Sequence, residues 1–199
     1  MIEIPSKKCE LNLPNAKLKF YPNFLDHIQS DNLFKELLET VEWRHDKIKV
    51  FGKVYNQPRL TALYGKTGKP YNYSGITMFP YEFNDTLKAL NTSINNISNH
   101  TFNTILLNLY RDGSDSNGWH ADNEKELGEN PIIASLSLGA SRYFHFKHRT
   151  LKKHRYKILL ANGSLLIMSK EMQHYWLHQI PKTKKHKEPR INLTFRYIN

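Results

Sequence analysis

His120 and Asp122 stand two residues apart in Trp119-His120-Ala121-Asp122. On an extended backbone, residues i and i+2 project to the same side. An imidazole nitrogen and a carboxylate oxygen can therefore converge on one ion. A third ligand has to come from elsewhere, and His178 in Trp176-Leu177-His178-Gln179-Ile180-Pro181 is the candidate. Two histidines and one carboxylate on one face of a metal, with three positions left open, form the facial triad of non-haem Fe(II) oxygenases. The His-x-Asp pair alone carries little, because chance and surface polarity produce it often.

The last strand adds a second signal. In Arg190-Ile191-Asn192-Leu193-Thr194-Phe195-Arg196-Tyr197 polar and apolar residues alternate without a break. Arg190, Asn192, Thr194 and Arg196 share one face of a strand and the apolar residues share the other. A half-exposed strand has this pattern, and so has a barrel strand whose polar side lines a cavity. In the second case two guanidinium groups suit a dicarboxylate, since arginine makes bidentate, charge-assisted bonds to carboxylates. Asn108 and Tyr110 repeat the i, i+2 geometry and can offer neutral donors to the same ligand.

Taken in order, Asn108-Leu109-Tyr110-Arg111-Asp112-Gly113, His120-Ala121-Asp122-Asn123-Glu124, Ala134 to Ala140, His178 and Arg190 to Arg196 resemble the AlkB family of oxidative dealkylases. The likeness is closest to its DNA-repair branch, typified by the human AlkB homologue 2. Val50-Phe51-Gly52-Lys53, Pro58-Arg59, Tyr64-Gly65 and Tyr73-Ser74-Gly75 also resemble that branch, so the likeness covers roughly residues 43 to 199. It implies Fe(II) bound by His120, Asp122 and His178, and 2-oxoglutarate bound by Asn108, Tyr110, Arg190, Asn192, Thr194 and Arg196. O₂ is the second co-substrate, and the cofactor chemistry leaves no side chain to act as nucleophile.

The implied reaction is oxidative removal of alkyl groups from bases such as 1-methyladenine and 3-methylcytosine in DNA. A methyl group on the Watson–Crick edge is out of reach within a duplex, so the base has to be flipped out or single-stranded already. By resemblance, Tyr73 stacks on that base, Tyr64 and Glu124 bond its edge, and Arg59 belongs to the substrate side. Phe51 is the wedge that fills the gap in a duplex. Two alternatives stay open: the same chemistry on RNA or single strands, or a catalytically inactive nucleic-acid-binding jelly roll.

These side chains need a scaffold, and the pattern indicates which. Six short stretches, 105–110, 132–138, 142–146, 156–160, 164–168 and 190–197, read as strands bounded by turn residues, with no helix between them. That points to a mainly β fold with a double-stranded β-helix (jelly-roll) core. Helices are expected from an N-cap at Ser30 or Asp31 through Val41, and over about 85–97. Residues 47–78 read as hairpins or exposed loops. The expectation is one catalytic domain over 1–199, with helices and substrate-recognition hairpins in about 1–100 and the jelly roll in about 101–199.

Composition sets the remaining bounds. Lys and Arg number 29 against 18 Asp and Glu, a formal charge of +11 over 199 residues. Such an excess favours a polyanionic partner through release of phosphate counterions. The runs 147–155 and 182–187, both between strands, are candidates for phosphate contact. Cys9 is the only cysteine, so an intramolecular disulfide and a cysteine zinc site are both excluded. The first residues lack the apolar run of a signal peptide, and no stretch reaches the roughly 20 apolar residues that span a bilayer. A monomeric protein inside the cell, cytoplasmic if bacterial and nuclear if eukaryotic, is the expectation.

Overall fold

Strands whose alternate residues are apolar bury one face, and two such sheets pack together over a shared core. The structure, a computed structural model, describes residues 1–50, 53–66, 71–73 and 76–199, and of 48–50, 71–73 and 76–77 the backbone only. The described strands are β1 (Ile2–Ile4), β2 (Cys9–Leu13), β3 (Ala16–Tyr21), β4 (Lys47–Val50), β5 (Lys53–Asn56), β6 (Leu60–Gly65), β7 (Tyr71–Tyr73) and β8 (Ile76–Met78). They continue with β9 (Thr104–Tyr110), β10 (Asn117–His120), β11 (Ile133–Gly139), β12 (Arg142–His148), β13 (Arg155–Leu160), β14 (Ser164–Ser169), β15 (Trp176–Ile180) and β16 (Arg190–Arg196). The helices are α1 (His27–Thr40), α2 (Asp85–Ser98) and the single turn α3 (Met172–Tyr175).

A large sheet has the order β2-β3-β14-β11-β16-β9-β6, and a smaller one the order β1-β13-β12-β15-β10. Between them lies one apolar cluster that includes Phe20, Leu106, Phe146, Leu166 and Trp176. The outer face of the large sheet carries a second cluster, in which Leu33 and Leu37 of α1 and Leu87, Leu90 and Ile94 of α2 meet Ile105, Leu107, Leu193 and Phe195. The sandwich is thus a jelly roll backed by two helices, as the pattern implied. Two hairpins, β4–β5 and β7–β8, stand apart as two-stranded sheets.

Three expectations need correction. The β-core is not confined to the last 100 residues, because β1, β2, β3 and β6 all join the two sheets. β6 was masked by its nearly continuous apolar run, which has no period-two signature. Helix α1 starts earlier than Ser30. Asp26 is its N-cap, accepting from Gln29 N–H while the Gln29 side chain returns to the Asp26 N–H, and Ser30 is buried inside the helix. That reciprocal box satisfies two backbone donors, and losing such a cap costs about 1 kcal/mol. Finally, α3 and β15 were not anticipated, although they deliver His178.

Candidate metal and co-substrate site

β10 and β15 pair antiparallel, with His120 opposite His178 in the register. Their rings lie 4.3 Å apart, edge to face. Asp122 follows β10 by two residues, and its carboxylate sits 4.0 Å from His120 Nε2 and 3.7 Å from His178 Nε2. One ligand atom from each of the three residues falls within 4.8 Å of the others. The His120 Nδ1–H bonds the Gly118 carbonyl at 2.7 Å, which leaves Nε2 as the lone-pair side. A ligating histidine is commonly oriented by such a bond on its other nitrogen. The Asn117 amide lies 3.1 Å from that Nε2.

Electrostatics keep the three groups in ligating form. Burial pushes His178 down to about 3, with His120 adding to the effect and Asp122 opposing it. His120 is lowered as well, again chiefly by burial. For Asp122, burial opposes ionisation but is outweighed by Arg196 and the two histidines, so its pKa falls to about 2. Arg196 Nη2 donates to Asp122 Oδ1 at 2.7 Å, both side chains being almost fully buried. A buried pair of this kind fixes geometry more than it adds stability. The donor set of two neutral imidazoles and a carboxylate fits a divalent iron ion.

The polar face of β16 points between the sheets and not into solvent, and the whole strand is buried. Asn108, Tyr110, Arg190, Asn192, Thr194 and Arg196 line the same cavity as His120, Asp122 and His178. This follows from register, since Tyr110 pairs with Arg190 and Asn108 with Asn192 on neighbouring strands. Arg190 is wholly buried; its Nη2 donates to Ser137 Oγ at 2.9 Å, while Nε and Nη1 have no hydrogen-bond partner among the described residues. Burial lowers its pKa to about 10, Tyr110 opposing and Arg142 reinforcing the change, so it is charged at neutral pH. A buried guanidinium with two unsatisfied donors is a socket for an oxyanion. Asn192 and Thr194 are more committed: Asn192 donates to Ser135 Oγ and the Leu136 carbonyl, and the Thr194 hydroxyl donates to Asn192.

The residues expected on the substrate side are dispersed. Glu124 follows Asp122 and heads a short 3-10 turn, Lys125–Leu127. Arg59 is buried, donating Nε to Asn108 Oδ1 at 2.7 Å and Nη1 to the Ser116 carbonyl, so it braces a cavity residue instead of offering a surface cation. Tyr64 is a correction. It points to the helix-covered face of the large sheet, packs in the outer cluster 5.6 Å from the Tyr81 ring, and so faces away from the cavity. Its neighbour in register, Ile105, belongs to the same cluster. Phe51 lies outside the described residues, and so does the side chain of Tyr73.

Sequence reasoning passed over Ser135 and Ser137, which hold Asn192 and Arg190 from the adjoining strand. Their own i, i+2 spacing was the available signal. It also missed Arg142, whose guanidinium donates to the carbonyls of Asp112, Asp115 and Pro181 and ties the loop after β9 to the loop after β15.

A sandwich of this topology with a His–Asp–His cluster and a buried arginine inside matches a known class. The chain belongs to the 2OG-Fe(II) oxygenase superfamily, whose profile matches residues 17–196. Within that class it is similar to the alkB homologues. It is 41% identical to the alpha-ketoglutarate-dependent dioxygenase alkB homolog 3 of Homo sapiens over 92% of this chain and 66% of that one. To the DNA oxidative demethylase ALKBH2 of Mus musculus it is 38% identical, over 85% of this chain and 75% of the other. The chain spans just under two thirds of the length of the homolog 3 proteins it matches. Identities this close do not single out the homologue 2 branch. Among solved structures, OsALKBH1 superposes with a TM-score of 0.64 at 18% identity, covering 95% of this chain and all of the other. At that identity the superposition shows the fold alone. No helix among the described residues is long and apolar enough to cross a membrane.

Proposed function

We propose that this chain is an Fe(II)- and 2-oxoglutarate-dependent dioxygenase that removes alkyl groups from nucleic-acid bases by oxidation. One observation carries the reading: the His120–Asp122–His178 cluster and the incompletely bonded Arg190 guanidinium open into the same buried cavity. When bound, iron(II) supplies the O₂ chemistry that couples decarboxylation of the keto acid to hydroxylation of an alkyl carbon. The chain's own part is placement. Arg190, seated on Ser137 and beside Tyr110, grips the distal carboxylate of 2-oxoglutarate. Arg196 holds the Asp122 carboxylate ionised and aimed, and the apolar ring of Phe144, stacked 5.2 Å from His178, helps keep water from that ligand.

The substrate reading rests on the similarity to alkB homologues and on charge. The net +11 and the exposed Arg149, Lys152, Lys153, Lys182, Lys184 and Lys185 on two inter-strand loops suit a phosphate backbone. Duplex DNA with a flipped base is the preferred substrate in this reading, with Phe51 as wedge and Tyr73 and Glu124 against the base, and the protein acts as a monomer. Succinate formation from 2-oxoglutarate, with and without Fe(II) and a methylated oligonucleotide, tests it. Turnover that needs both supports the assignment, and turnover that persists in Asp122→Ala refutes the ligand set.

A further inference from the structure

The main chain of Asp122 is anchored from an unexpected direction. β10 ends at His120, so the Asp122 N–H belongs to no strand. It donates instead to Gln173 Oε1 at 3.0 Å, across 51 residues of sequence. Gln173 sits on α3 and is wholly buried. A backbone N–H can only donate, so the amide oxygen has to face it. That orientation leaves Gln173 Nε2 buried with no hydrogen-bond partner among the described residues. Burying a donor without an acceptor is unfavourable. An apolar side chain of the same length avoids that cost, yet it makes no bond to Asp122.

The helix that carries Gln173 is itself held from outside. In the β2–β3 hairpin turn, Asn15 takes a left-handed conformation and donates Nδ2 to Glu171 Oε2 at 2.7 Å. Trp176 Nε1 donates to the Pro14 carbonyl at 2.9 Å, and Trp176 opens the strand that bears His178. Asp122 thus has two separate anchors: Arg196 on its carboxylate and Gln173 on its backbone.

We propose that Gln173 is a positioning residue for the metal centre, fixing the Asp122 main chain so that its carboxylate meets the ion together with His178. The Pro14–Asn15 turn backs the short helix in this role. The inference rests on the reading of His120, Asp122 and His178 as ligands.

Calorimetric titration of the chelator-stripped protein with Mn(II), an iron stand-in that does not oxidise, tests it without any turnover. Gln173→Met and Gln173→Asn, the first without an acceptor and the second too short to reach, should weaken Mn(II) binding about 10–100-fold, the range seen when a residue supporting a ligand is removed. Gln173→Glu keeps an acceptor at the same reach and should bind close to wild type. The Met and Asn variants orphan the buried Asp122 N–H and should melt lower than wild type, as should the Glu variant with its buried carboxyl. Binding is therefore compared well below the lowest midpoint, where every variant is folded. Met and Asn variants that bind Mn(II) as tightly as wild type would overturn the proposal, as would a Glu variant as weak as Met. If Gln173→Met does not fold, Gln173→Asn decides. Asp122→Ala is the control: binding equal to wild type there, or no binding by wild type, sinks the ligand assignment itself and not only the role of Gln173.

Discussion

The two faces of the large sheet are made by the same strands and do opposite work. On β9 and β16 the outward residues Ile105, Leu107, Leu109, Ile191, Leu193 and Phe195 pack against α1 and α2. The inward residues Asn108, Tyr110, Arg190, Asn192, Thr194 and Arg196 surround the His120–Asp122–His178 cluster. Both faces are buried, so burial alone does not distinguish them. What differs is chemistry: the outward residues of these two strands are apolar and need no polar partner, whereas Arg190 on the inner face keeps donors that no described residue accepts. A strand can be buried for stability on one side and for a ligand on the other.

This contrast can be broken by mutation. Asp122→Ala on the inner face should abolish Fe(II)-dependent succinate formation; retained turnover would mean the ligands lie elsewhere. Arg190→Leu should leave the fold intact and raise the KM for 2-oxoglutarate by about 30-fold or more, since truncating a buried, hydrogen-bonded charge costs about 2–5 kcal/mol. An unchanged KM would remove Arg190 from the carboxylate. Leu193→Ala, three residues further along the same strand in the outward row, should do the reverse. It should lower unfolding stability by about 2–5 kcal/mol, measured by urea titration, and leave that KM alone in the folded protein.

The smallest effect expected is on pH. His178 is held neutral by burial, with a pKa near 3 in the folded protein, while an unfolded histidine titrates near about 6.5. The unfolded chain binds the extra proton between these values, so stability rises with pH across this window and is lost on acidification. The urea midpoint of metal-free protein should be lower at about pH 5 than at pH 7, and less so in His178→Gln. Identical pH dependence in the two proteins would contradict the buried, neutral state of this histidine.

How much of this was legible follows the range of the interactions. The polar row of β16 was readable because strand alternation is local, and the motif order supplied the cavity that the alternation left open. His178 was readable as a candidate ligand only through its company, because it has no carboxylate two residues away and its nearest histidine, His174, stands four residues back and is exposed. The Ser137–Arg190, Gln173–Asp122 and Asn15–Glu171 bonds join residues 53, 51 and 156 apart, and no local pattern reports them. Tyr64 shows the converse failure. Its place beside a family-like motif suggested the substrate, but the pleat of β6 turns it to the helices. The β2–β3 hairpin was within reach, since Leu11, Leu13, Ala16 and Leu18 flank a Pro-Asn turn.

The central claim is that this cavity couples 2-oxoglutarate turnover to dealkylation of a base, and mass spectrometry of one oligonucleotide tests it most directly. A duplex carrying a single 1-methyladenine is incubated with the protein, Fe(II), 2-oxoglutarate and O₂, and the strand mass and the succinate are followed together. The account predicts loss of the methyl group in step with succinate, and neither change in Asp122→Ala. Succinate released while the methylated strand stays intact, in duplex and single-stranded form alike, would contradict it.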